Sequence, residues 1–209
     1  MENSESLNPE RSKRILTILK FAVTLLLIPV IYALTVCFVN EAKLIGSDFI
    51  NVFVQGIIAF LVFYLFIYEP AKFYKQGQKI TEKTTRFFSP LFKIAPFVIP
   101  IYSILLFLSY GLVSLFTKSQ AVLHSFLFLI GFSFIFHLVF SAKALRSRRN
   151  DFLMTSYLFS FFFVYIITVS VVAAGFTVIF KDFSWFNFCK HSWQATGSFY
   201  YVVFSQLFL

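Results

Sequence analysis

Carboxylates are scarce in this 209-residue chain: there are nine, against eighteen lysines and arginines, and charged residues make up only 13% of the whole. A soluble domain carries nearer a quarter, so an aqueous surface wrapped around one core is excluded. Cysteine is almost missing as well. Cys37 and Cys189 fit no metal or redox spacing, and a disulfide between them requires a backbone approach that spacing does not supply. The three histidines, His124, His137 and His191, form no cluster along the chain. There is no glycine-rich phosphate loop, no Ser-His-Asp set and no nucleic-acid module. The chain is therefore expected to bind neither a cofactor nor nucleic acid, and an enzyme is disfavoured.

What the chain does have is apolar length. Hydrophobic residues are 59% of it, including 33 phenylalanines, and about 20 such residues in a helix cross a hydrocarbon layer about 30 Å thick. Five runs qualify, at 21–39, 52–68, 94–116, 121–142 and 152–180. They predict an all-α, polytopic transmembrane helix bundle of about five spans forming one domain over 21–180. A cytoplasmic segment at 1–20 precedes it and an aromatic segment at 181–209 follows. The first run is too long for a secretory signal and lacks a cleavage pattern, so it is read as an uncleaved span. Pro29 predicts a kink within it, whereas Pro96 and Pro100 fall in the first turns of the third run, where a missing donor costs least. The last run would measure roughly 43 Å as a helix and must tilt. The final apolar stretch, 195–209, is short for a span and reads as an interfacial or short re-entrant helix, with a sixth crossing as the other reading. Trp185, Trp193, Tyr200 and Tyr201 suit an interface.

Positive charge is dealt out between the runs with a clear bias. Arg11, Lys13, Arg14 and Lys20 precede the first run; Lys72, Lys75, Lys79, Lys83, Arg86 and Lys93 follow the second; Lys143, Arg146, Arg148 and Arg149 follow the fourth. Those alternate connections hold fourteen of the eighteen basic residues, leaving Lys43, Lys118, Lys181 and Lys190 for the other side. The bias predicts a cytoplasmic N-terminus, in a protein integral to a bacterial inner membrane.

Between the second and third runs, Phe73, Gly77, Ile80, Thr84, Phe87 and Leu91 recur at intervals of three and four, the signature of a helical stripe. The spacing predicts an amphipathic helix over 70–91. Lys72, Lys75, Lys79, Lys83 and Arg86 lie largely off that stripe and are the candidate contacts to anionic lipid headgroups. So many charges forbid a crossing here, since each costs about 2.5 to 3.5 kcal/mol at the bilayer centre.

The run from Tyr74 to Lys83, with Phe136, His137 and Leu138 and the stretch from Asp151 to Ser160, resembles membrane-embedded metalloproteases of the site-2 protease type. The resemblance covers about residues 60–170. It implies a zinc helix at these positions, but the motif is degenerate. Gln78 and Glu82 stand where two histidine ligands belong, and Lys79 stands where the family has its water-activating glutamate. An amide is a poor zinc ligand and an ammonium repels the metal, so the H-E-x-x-H chemistry is lost and the resemblance implies a pseudoprotease.

Elsewhere, His137 near the end of the fourth run and Asp151 at the start of the fifth form a candidate polar intramembrane pair. Ser170 with Ala174, and Gly111 with Ser114, could let helices approach closely. No carboxylate lies deep in a run, which disfavours an ion-coupled transporter. The expected function is a non-enzymatic binding or scaffolding component, with lipids and a membrane-protein partner or a second copy as partners. A small transporter or channel subunit is the alternative, and an active hydrolase comes third.

Overall fold

A computed structural model describes residues 9–66, 71–85, 95–147 and 154–208. Every element among them is an α-helix: α1 (Pro9–Lys43), α2 (Ser47–Phe66), α3 (Ala71–Thr85), α4 (Ala95–Val98), α5 (Ile101–Ser114), α6 (Gln120–Ser147), α7 (Met154–Ile179) and α8 (Trp185–Phe208). Four carry stretches long and apolar enough to cross a membrane, at Thr17–Lys43, Ser47–Phe66, Gln120–Arg146 and Tyr157–Ile179. Packing hides little of this surface. Only 17% of the apolar window of α2 is buried, and Leu65 and Val178 are 79% and 83% exposed. Apolar surface on that scale needs lipid around it, so the chain is an integral membrane protein.

Directions follow from the contacts. Phe49, Phe53 and Phe60 of α2 meet His124, Phe134 and Phe136 of α6 in ascending order, so these helices run parallel. Thr35 and Phe38 of α1 meet Tyr165 and Phe176 of α7, again in parallel. Tyr102 and Tyr110 of α5 meet Phe136 and Phe126, so α5 runs against α6. Glu41, Tyr32 and Leu26 of α1 meet His191, Phe199 and Tyr200, so α8 runs against α1. α2 and α6 therefore end, and α1 and α7 begin, at one end of the bundle.

Two glycines hold the central pair together. A Cβ on Gly56 would sit 2.0 Å from the Phe128 carbonyl oxygen, and one on Gly131 would sit 2.0 Å from that of Phe53. Each helix therefore lays a bare Cα on the other's backbone, the setting for Cα–H···O contacts and for close packing without a hydrophobic drive. Gly175 of α7 similarly seats the Phe107 ring, 2.3 Å from where its Cβ would be. The expected packing glycine, Gly111, has nothing within 4 Å.

The third run departs from expectation. It is broken at Ile99 and Pro100 into the four-residue α4 and the fourteen-residue α5. Pro100 has no N–H to extend α4 and its ring crowds the preceding turn, so it caps α5 instead. The Ile101 amide, which in a continuous helix would reach Phe97, bonds Ile99 at 2.9 Å. Pro29, by contrast, lies within an unbroken α1, and the Tyr200 hydroxyl donates to the Leu26 carbonyl in the turn that this proline loosens.

Candidate functional site

The break at Pro100 leaves carbonyls without helical partners, and α6 supplies them. The Ser141 hydroxyl donates to the Phe97 carbonyl at 2.9 Å. His137, 4% exposed, hydrogen-bonds the Val98 backbone and lies 3.4 Å from Ser141 Oγ through Nε2. Because the Ser141 proton is committed to Phe97, the Tyr74 hydroxyl of α3 donates to Ser141 Oγ, at 2.9 Å. One serine on α6 thus ties α3 and α4 to a span. Burial pushes the Tyr74 phenol above its usual range, with the Ser141 hydrogen bond opposing, so it acts as a donor at neutral pH.

Packing reinforces this clamp. The Tyr74 ring stacks on Phe140 with centroids 5.5 Å apart, and a Cβ on Gly77 would meet the Tyr102 ring at 2.5 Å. Thr81, one turn on, is buried and donates to the Gly77 carbonyl at 3.1 Å. The face of α3 turned to the bundle is therefore Tyr74, Gly77 and Thr81, with Gln78 half-buried beside them. Of the predicted stripe, Gly77 lies on this packed face and Ile80 is 48% exposed. The apolar-stripe reading missed Tyr74 and Thr81 because both count as polar, yet each buries its body and hydrogen-bonds its hydroxyl.

Lys75, Lys79 and Glu82 are exposed, away from the clamp. Lys72 and Lys83 fall in α3 with side chains outside the described residues, as does the whole of Arg86. Of the degenerate metal motif, Gln78 is half-buried while Lys79 and Glu82 are exposed. No group of three or more His, Cys, Asp or Glu able to hold a metal occurs among the described residues. Asp151, the proposed partner of His137, also lies outside the described residues. The partners His137 does have are the Val98 backbone and Ser141.

Two further polar contacts have no counterpart in the sequence pattern. At the opposite end of the bundle, His191 Nδ1 meets Glu41 Oε1 at 2.8 Å, with the Glu41 side chain only 7% exposed. This joins the last helix to the first. In the middle, Thr35 donates to the Ile31 carbonyl, so the Tyr165 hydroxyl donates to Thr35 Oγ1 at 2.7 Å. His124 packs against the Phe49 ring, and Cys37 and Cys189 are both free thiols. The polar groups at the Pro100 break mostly satisfy one another, and Lys75 and Lys79 stand exposed on another face of α3. Comparison with protein families, curated proteins and solved structures finds no match to this chain.

Proposed function

We propose that this protein is a non-enzymatic binding or scaffolding component of a bacterial inner membrane, N-terminus in the cytoplasm, whose α3 is a fixed basic platform on the cytoplasmic face. One observation carries the reading. α3 is held against the bundle by Tyr74, Gly77 and Thr81 while Lys75 and Lys79 stand exposed on another face. A helix clamped on one side and basic on another suits anionic headgroups, at about 1 kcal/mol per lysine near the surface, and holds the bundle in register for a membrane-protein partner or a second copy. A photocrosslinker at Lys75 or Lys79 in native membranes is expected to give lipid adducts and one discrete protein adduct. Adducts scattered over unrelated proteins would refute the platform.

A specific feature favours a second reading, a small transporter or channel subunit: the helix broken at Pro100 resembles the discontinuous helices that line transport sites. Solute-dependent flux in vesicles, abolished by His137→Ala, would establish it. Descent from a site-2-protease-like ancestor rests on sequence likeness, in the run from Tyr74 to Lys83, at Phe136, His137 and Leu138, and from Asp151 to Ser160. On that reading the purified chain carries no stoichiometric zinc, and one zinc atom per chain, lost in Glu82→Ala, would replace the pseudoprotease with an active hydrolase.

A further inference from the structure

At the end of the bundle away from α3, consecutive helices α1 and α2 stand apart. They are joined by a tight turn at Gly46, whose φ of 114° suits glycine, yet they touch each other little. α1 packs on α7 and α8, and α2 packs on α6. Between them lies a cleft of about 330 Å³, floored by Leu127, Phe134 and Val169. Val39 of α1 and Val54 of α2 line it and are 45% and 41% exposed, so it opens sideways between two membrane-crossing helices.

The cleft is apolar except at Thr35, Tyr165 and Lys43, and their placement is informative. Thr35, bonded to Tyr165, lies within it, and Lys43 lies at its rim. Eight residues of helix separate them, about 12 Å along the axis. Lys43 makes no ion pair among the described residues, and the nearest carboxylates in sequence are engaged: Glu41 by His191 and Asp48 by the Ser47 hydroxyl. A cation in the last turn of α1 offsets the helix dipole. That accounts for the charge but not for the apolar slot leading away from it.

We propose that this cleft is a binding site for an anionic phospholipid, one acyl chain lying between α1 and α2 and the phosphate held at Lys43. Charge complementarity selects the occupant. The cation sits where the two helices end, at headgroup level, and the slot runs inward from it, so a lipid of the surrounding leaflet enters sideways without turning over. The site is independent of the α3 platform, being at the other end of the bundle.

Native mass spectrometry of the full-length chain, delipidated and then titrated with phosphatidylglycerol or phosphatidylcholine, tests this. One retained phospholipid per chain is expected, the anionic one preferred roughly fivefold, the ratio that one near-surface lysine supplies. Lys43→Gln, at an exposed position, should abolish the preference and keep the occupancy. Val54→Trp should put an indole into the slot and remove the bound lipid; Val39→Trp, from the opposite rim, repeats the test should the first variant misfold. In a Lys75→Gln, Lys79→Gln background, which removes the α3 platform, the bound lipid and the effect of Lys43→Gln on the preference should both persist. An unaltered preference in Lys43→Gln, lipid retained by both tryptophan variants, or a cleft that takes free fatty acid in preference to phospholipid would overturn the proposal.

Discussion

Replacing Gly131 with alanine probes the contact on which the bundle turns. The new Cβ would lie 2.0 Å from the Phe53 carbonyl oxygen, where ordinary contact begins at 3.4 Å. Neither helix backbone can swing aside as a side-chain tip would, so α2 and α6 must separate by on the order of an ångström. Overpacking of this kind costs about 1 to 3 kcal/mol, and breaking each Cα–H···O interaction adds about 0.5 to 1 kcal/mol. Gly131→Ala should therefore destabilise the bundle by about 2 to 4 kcal/mol. Gly111→Ala is the matched control: with nothing within 4 Å of its Cβ, it should be neutral or stabilising by up to about 1 kcal/mol, since glycine within a helix costs that much relative to alanine. Reversible unfolding in mixed micelles, followed by far-ultraviolet circular dichroism against the mole fraction of dodecyl sulfate, reads both. Gly56→Ala should resemble Gly131→Ala, and the double variant should cost less than their combined effect, because helices already parted have no second clash to relieve. Equal stabilities for Gly131→Ala and Gly111→Ala would refute the backbone-to-backbone contact.

At the Pro100 break, Tyr74→Phe removes one hydrogen bond and should cost about 1 kcal/mol, while Ser141→Ala orphans both the Phe97 carbonyl and the Tyr74 hydroxyl and should cost about 2 to 3 kcal/mol. Limited proteolysis should then cut α3 faster in the serine variant, and equal cutting would contradict the clamp. His191→Ala leaves the Glu41 carboxylate buried and unpaired, at a cost of about 1.5 to 3 kcal/mol. Adding Glu41→Gln should recover part of that loss in the same unfolding assay. Reporter fusions at Lys43 and Lys118 should be active on the outer side and those at Lys143 on the cytoplasmic side; the reverse pattern would invert the orientation.

The spanning helices were legible because hydropathy is a property of composition: four of the five apolar runs became long apolar helices, each within a few residues of its predicted bounds. The third run was as apolar as the rest, yet broke. Its failure depended on whether neighbours could satisfy the carbonyls freed at Pro100, and those neighbours, Ser141 and His137, lie about forty residues on. The α3 helix was legible as a helix, but its inward face was not. Hydrophobic scales score Tyr74 and Thr81 by their hydroxyls rather than by what those hydroxyls meet. Gly56 and Gly131 leave no signature because a small-x-x-x-small pattern runs along one helix, whereas each of these glycines answers a carbonyl on another. The Glu41 to His191 contact joins residues 150 apart, with no local pattern to betray it.

That separation bears on how the protein is made. α1 is synthesised before α7 and α8, yet its polar face is completed by Tyr165, His191 and Tyr200, which follow their partners by 130 to 174 residues. At synthesis speeds of about 5 to 20 residues per second, α1 waits roughly 7 to 35 s for these partners. Throughout that interval the Glu41 carboxylate lacks the His191 ring that it meets in the finished bundle.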